Sequence, residues 1–281
     1  MGDIGVQTAV EAEGGPDGDG VQRFSGQLSD DWEIWGPEGG YVAAVALRAA
    51  GAASPFDRPA SFFCHYLSVA AFEPVELTVT PRRSGRTVLA QRVEMTQRGK
   101  PVLDAMVWSV GEVTGLVHED LTPPLVADPE DVKSWEELVP EGRDGPGFNF
   151  WDNFVQKPIT YSLEWPPKEP MPPVWQAWVR CQPTATFEDP WVDAARTLIV
   201  LDVMSWPAGH RPHAHLDHGF IAPSLDLYAA FQRPGTSSDW LLLDGHSPVA
   251  DDGLLSWNGR VWNRDRKLLA SGGGQAVFRH T

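Results

Sequence analysis

Asp31-Trp32-Glu33-Ile34-Trp35-Gly36-Pro37-Glu38-Gly39-Gly40-Tyr41 opens the stretch that decides the fold. It runs on through Val42 to Ala50 and closes at Gly51. From Tyr41 to Ala50 the only charged residue is Arg48, and the rest is mostly Ala, Val and Leu. A helix that is apolar all round is a buried helix, and Gly51 suits its C-terminal stop. The start carries no Ser, Asp or Asn cap. Gly39-Gly40 leaves the first N–H groups uncovered there, as at an anion or oxyanion site. The alternative is that the two glycines only let the helix pack tightly against a sheet.

The segments after this helix are strands. Phe62 to Phe72 is aromatic and small-apolar, and Val75, Leu77 and Val79 alternate with Glu76, Thr78 and Thr80, which is the period of a half-buried strand. Val88 to Thr96 and Val102 to Val110 complete a meander, with turns at residues 82–86 and 97–100. The pattern then returns. Asp189 and Pro190 suit an N-cap and first helical position, Val192 to Trp206 is mostly apolar, and Pro207 reads as its stop. Phe220 to Gln232, Trp240 to His246, Gly253 to Trp262 and Leu268 to Phe278 form a second set of strands. Ile159 to Trp165 and Val174 to Cys181 read as strands before the second helix. His65-Tyr66-Leu67-Ser68-Val69-Ala70-Ala71-Phe72-Glu73-Pro74 echoes Leu225-Asp226-Leu227-Tyr228-Ala229-Ala230-Phe231-Gln232-Arg233-Pro234, so the chain reads as a duplication.

The domain plan is a disordered acidic, Gly-rich tail over residues 1–20, an N-terminal unit over 21–118, a Pro-rich linker over 119–147 with one short helix at Pro129 to Leu138, and a C-terminal unit over 148–281. The 281 residues are 42% apolar, enough for a substantial core, and a net charge of −16 argues against nucleic acid as a partner. Two cysteines, Cys64 and Cys181, exclude a disulfide scaffold and suit a reducing compartment. Each reads as a small core residue. There is no apolar run of membrane-spanning length and no signal-peptide core. A cytoplasmic location is therefore the expectation, with a homodimer or larger homo-oligomer as the expected assembly.

A buried helix wrapped by an antiparallel sheet, twice in one chain, resembles the double hotdog: α+β, two antiparallel sheets each wrapped around a buried helix. Trp32 to Tyr41, Ala222-Pro223-Ser224-Leu225-Asp226 with Phe231-Gln232-Arg233-Pro234 and Trp240-Leu241-Leu242, and Leu269 to Gln275 resemble the acyl-CoA thioesterase II family. The resemblance implies a hydrolase cleaving fatty acyl-CoA to fatty acid and CoA. It implies no metal and no bound organic cofactor. It implies an aspartate, a threonine or serine, and a glutamine that hold the attacking water. The aspartate matches Asp226 and the glutamine Gln275, one residue out of step in an ungapped count from Arg279. The family threonine falls on Pro248, with Ser247 just before it as the candidate hydroxyl. On this reading Asp226 is the general base, and Ser247 and Gln275 orient the water. Pro248 favours a rival reading, a non-catalytic acyl-CoA or lipid carrier.

Other groups have weaker claims. His213, His215, Asp217 and His218 spell H-x-H-x-D-H, a zinc-type spacing that would make a metal-dependent hydrolase. It lies late in the chain with only His246 and His280 beyond, so a polar loop without metal is the expectation. Arg82, Arg83 and Arg86 either hold the phosphates of CoA or form an ordinary solvated turn, the simpler reading. Gly272-Gly273-Gly274 marks close backbone approach or fraying. Asp202, in the second apolar helix, is either a buried acid or, the simpler reading, faces a loop or caps its surroundings. The 13 tryptophans suit an acyl groove or plain sheet packing.

Overall fold

A computed structural model of the chain describes residues 1–140, 147–161, 169–213 and 220–280. The order begins with α1 (Ile4–Gln7) and β1 (Glu11–Ala12). The first unit comes next as β2 (Gln22–Gln27), α2 (Gly39–Ala52), β3 (Arg58–Tyr66), β4 (Pro74–Ser84), β5 (Val88–Gln97) and β6 (Lys100–Val110). The short α3 (Trp135–Leu138) leads to β7 (Phe154–Pro158), β8 (Val174–Cys181), α4 (Pro190–Asp202) and α5 (Ser205–His210). Then come β9 (Phe220–Ile221), β10 (Asp226–Phe231), β11 (Leu241–Asp251), β12 (Leu254–Asn263), β13 (Leu268–Val277) and β14 (Arg279–His280).

The α+β class holds, but the expected pair of sheets does not. Among the described residues twelve strands form one sheet in the order β1-β2-β4-β5-β6-β3-β10-β13-β12-β11-β8-β7, and only β9 and β14 pair apart from it. The seam is β3 against β10, antiparallel, with Phe63 opposite Tyr228 and His65 opposite Asp226. Two separate sheets would each leave an edge of unpaired N–H and C=O groups, and this seam removes both edges. Outward from the seam, β3-β6-β5-β4-β2 matches β10-β13-β12-β11-β8 role for role. Each run has the strand after the helix, the meander in reverse, then the strand before the helix. The duplication is therefore in the topology. The letter-level echo is not: it sets Tyr66 against Asp226, yet Tyr66 ends β3 whereas Asp226 begins β10.

Helix α2 is buried on nearly every face because the sheet and α4 enclose it. The two helices cross antiparallel through glycine. A Cβ on Gly40 would stand 2.9 Å from Ile199 Cα and from its carbonyl oxygen, and one on Gly51 would stand 2.5 Å from the Trp191 ring. Such distances admit no side chain. The helix continues to Ala52, so Gly51 serves this contact and is not the stop that its position suggests. The tight-packing reading of Gly40 holds, against a helix instead of a sheet.

Four other expectations change. The start of the 1–20 segment is ordered: Ile4 is only 2% exposed, Gly2 N–H donates to Asn153 Oδ1 at 2.6 Å, and the Gln7 side chain accepts from Trp32 Nε1 at 2.6 Å. The 119–147 segment does contain a short helix, capped by a Ser134–Glu137 box. From Val126 to Val132, however, it packs with Trp178, Trp240, Leu242 and Trp262, covering the outer face of the second half. The strand before β8 is Phe154–Pro158, not 159–165, of which residues 162–165 lie outside the described residues. Pro207 does not stop the helical region. It sits in the first turn of α5, where its missing N–H has no helical partner to lose.

Candidate active site

The site lies where the start of α2 meets the end of α4. Asp202 closes α4, and its burial in an apolar helix makes an unpartnered carboxylate costly. It has three partners. Gly40 N–H donates to Oδ2 at 3.0 Å. The Ser224 hydroxyl, on the loop before β10, donates to Oδ1 at 3.1 Å. The third is the carboxyl of Glu38. Glu38 is the N-cap of α2, accepting from Tyr41 N–H at 2.7 Å. Tyr66, at the end of β3, donates its hydroxyl to Gly39 O at 2.9 Å.

Glu38 and Asp202 are each 5% exposed. Burial pushes both carboxyls up, Glu38 well above its ordinary value, with the charge of Asp202 and the bond to it adding to the rise. For Asp202 the bonds from Glu38, Ser224 and Gly40 work against burial. Burial therefore favours retention of a proton by the pair, since two buried charges side by side would repel. Burial also lifts Tyr66 far above its usual range, so it stays neutral.

These groups line a cavity of about 860 Å³. Its other walls are largely apolar, including Trp35, Trp151, Trp175, Trp206, Val42 and Leu67. Arg279, in β14, is the only Lys or Arg among the described residues that line it. A volume of this size with a few convergent polar groups and perturbed carboxyls is the usual form of a small-molecule site.

The expected catalytic residues lie elsewhere. Asp226 begins β10 with its side chain on the face opposite Leu227, Ala229 and Phe231, which point inward. Its Oδ1 accepts from Gln275 N–H at 3.1 Å, so it ties two strands together. Gln275 donates to Ser256 Oγ at 3.2 Å, and Ser247 donates to the Ser256 carbonyl at 2.9 Å. Ser256 thus links Gln275 and Ser247, but none of Asp226, Gln275 and Ser247 lines the cavity. For Asp226 and Gln275 the reason is strand parity, since one step along β10 or β13 exchanges the two faces of the sheet; Ser247 is buried with its hydroxyl already committed to the β12 backbone. Pro248 lies beside a break in the β11–β12 register between His246 and Val249. Gly39 lines the cavity, whereas the N–H of Gly40 is already used by Asp202. Arg82 and Arg83 lie at the end of β4 and Arg86 in the turn after it, so the turn is shorter than expected; all three are exposed and away from the cavity.

His210 is buried in α5, and burial lowers its pKa to about 4. His213 ends the next turn, and His215, Asp217 and His218 lie outside the described residues. Among the described residues no three His, Cys, Asp or Glu side chains are grouped to hold a metal ion. Both cysteines are buried, and burial pushes Cys181 up to about 12 and Cys64 well above its ordinary value. Neither is a ready nucleophile.

Two family models match the sequence. Residues 28–110 match the acyl-CoA thioesterase N-terminal domain, and residues 127–277 match the acyl-CoA thioesterase C-terminal domain. The chain belongs to the acyl-CoA thioesterase family. It is a thioester hydrolase acting on acyl-CoA. Solved structures agree on the fold. The acyl-CoA thioesterase II TesB2 from Mycobacterium marinum is 20% identical over 99% of both chains with a TM-score of 0.78. A tesB protein from Mycobacterium avium subspecies paratuberculosis is 22% identical over 99% of this chain and 98% of that one, with a TM-score of 0.75. A conserved hot dog protein of unknown function from Alicyclobacillus acidocaldarius is 18% identical over 99% and 98%, with a TM-score of 0.80.

The sequence reading did not single out Glu38 or Ser224, which the structure places with Asp202 on the cavity wall. Two signals were available. Asp202 is the only charged residue in the second half of α4, Thr197–Asp202. Ser224 sits two residues before Asp226 in the very motif that carries the family resemblance.

Proposed function

We propose that this enzyme hydrolyses fatty acyl-CoA by Asp202-assisted attack of water on the thioester carbonyl, with the acyl chain in the aromatic-walled cavity. The observation that carries the reading is the Asp202–Ser224 pair on the wall of that cavity. Asp202 accepts the proton of the attacking water, a role worth typically ~10²–10⁴ in rate. Ser224 fixes the carboxylate's orientation. The N–H of Gly39, at the start of α2, is the donor we assign to the developing oxyanion, a contribution of ~10²–10³. No step calls on a metal. Arg279 at the cavity wall replaces Arg82, Arg83 and Arg86 as the cation for the phosphates of CoA.

We further infer a double hotdog of two units, 21–118 and 148–281, on the strength of the matching strand order on either side of the seam. A homodimer or larger assembly is supported by Phe63, Met106 and Tyr228, which are exposed on three adjacent strands at the centre of the sheet. Two free buried cysteines favour a reducing, cytoplasmic setting. Among the described residues no helix is long and apolar enough to cross a membrane.

The test is release of free thiol from a panel of acyl-CoAs, with and without chelator. Chelator-insensitive release supports the reading. Tight binding without release would favour the carrier, and release lost with chelator a metal-dependent route.

A further inference from the structure

Glu38 has no part in the steps above, yet no other carboxyl among the described residues lies so close to the assigned base. It caps α2 through Tyr41 N–H at 2.7 Å, next to the Gly40 N–H that donates to Asp202 at 3.0 Å, and it lines the cavity together with Asp202. A glutamate is not needed for the cap, since shorter Ser, Asp or Asn side chains do that job better. Its length instead brings a second carboxyl onto Asp202, where two buried charges side by side would repel strongly.

We propose that Glu38 and Asp202 work as a one-proton carboxyl dyad, in which Glu38 is a positioning residue that carries the proton and holds Asp202 ionised toward the attacking water. The inference rests on the Asp202 mechanism proposed above. Each turnover balances. As the water oxygen bonds to the thioester carbon, one water proton passes to Asp202, and the dyad then holds two protons. The C–S bond breaks with its electron pair on sulfur. The sulfur takes one proton from Asp202, and the dyad returns to one. The products are a carboxylic acid and a thiol, with no change of oxidation state.

The groups facing Glu38 permit this. Asp202 faces it from α4 and Tyr66 from β3, with Cys64 beyond Tyr66. Burial keeps Tyr66 and Cys64 neutral, so the titration in the working range belongs to the two carboxyls as a pair. Both pKa values of the pair shape the rate: activity rises as the first proton leaves and falls when the second leaves, because the donor to Asp202 is then gone.

The experiment is the pH profile of kcat/KM for acyl-CoA hydrolysis in the wild type and in Glu38→Gln. The amide of Gln still donates to Asp202 and still accepts from Tyr41 N–H, but it does not titrate. A role confined to capping predicts superimposable profiles. The dyad predicts that E38Q stays within roughly tenfold of the wild type at neutral pH and loses the alkaline limb while keeping the acidic one. An alkaline limb unchanged in E38Q overturns the dyad. Infrared difference spectroscopy gives a second readout, on the wild type itself, that holds if E38Q does not fold. The dyad requires a protonated carboxylic C=O band at neutral pH, and its absence overturns the proposal. Presence of the band together with no effect of Asp202→Asn on turnover supports the dyad and removes only the mechanism on which its catalytic use rests.

Discussion

Ser224 donates its hydroxyl to Asp202 at 3.1 Å, joining the loop before β10 to the last residue of α4. The bond fixes the orientation of the carboxylate that we propose as the base. The Gly40 amide meets the same carboxylate at 3.0 Å from the first half of the chain. The site is therefore built from both halves of the duplication, and it depends on how closely α2 and α4 approach.

That dependence can be measured with Gly40→Ala. The added Cβ would lie 2.9 Å from Ile199 backbone atoms and from Asp202 Cβ, so one helix must move. Overpacking of this kind costs about 1–3 kcal/mol, and the movement lengthens the Gly40–Asp202 bond. A lower urea midpoint with a reduced kcat is the expected pair of results. Wild-type stability and kcat would mean that the helices are not in contact there.

Arg279 and the three arginines at the β4–β5 turn make opposite predictions about the substrate's nucleotide. Arg279→Ala is expected to raise KM for acyl-CoA roughly tenfold, the scale of one charge-assisted hydrogen bond. It should do so much less for a short acyl thioester without the nucleotide. Replacing Arg82, Arg83 and Arg86 together should leave KM unchanged. The reverse outcome would return the phosphates to the turn.

The docked start of the chain gives a stability prediction. Ile4 is buried against the core, and Ile→Ala at a buried site costs about 2–5 kcal/mol. The low end, about 2 kcal/mol, is expected because a short N-terminal segment opens locally before the rest. Denaturant unfolding of Ile4→Ala reads this directly. An unchanged midpoint would show that the segment contributes nothing.

Much of the fold was legible. The apolar run from Tyr41 to Ala50, the alternation through Val75, Leu77 and Val79, and the polar hairpin at 97–100 each carry a local signal. Arg98 and Gly99 take the positive φ values, 51° and 73°, that such a tight turn demands. The β3–β10 seam carried no local signal, because pairing between residues some 160 apart leaves none. Nor did the tail, where Ile4, Thr8 and Val10 are few among acidic and glycine residues, and composition averages hide them. The cavity-lining carboxylates were hard to read for two different reasons. Asp226 was chosen as the base although Leu227, Ala229 and Phe231 set the parity of β10 and so turn Asp226 outward, away from the cavity. Glu38 was passed over because glutamate is not a usual cap, and the chain alone does not show that its carboxyl reaches Asp202 on another helix.

The central claim is that the base is Asp202 and not Asp226, and thiol release by the two asparagine variants tests it most directly. Each substitution keeps the side chain's shape. The account predicts that Asp202→Asn folds and binds acyl-CoA while kcat falls by ~10²–10⁴, the usual worth of a general base. Asp226→Asn, on the outer face of the sheet, should stay within about twofold of the wild type, as substitutions away from buried features do. Wild-type turnover in a folded Asp202→Asn, with turnover lost in a folded Asp226→Asn, would contradict it.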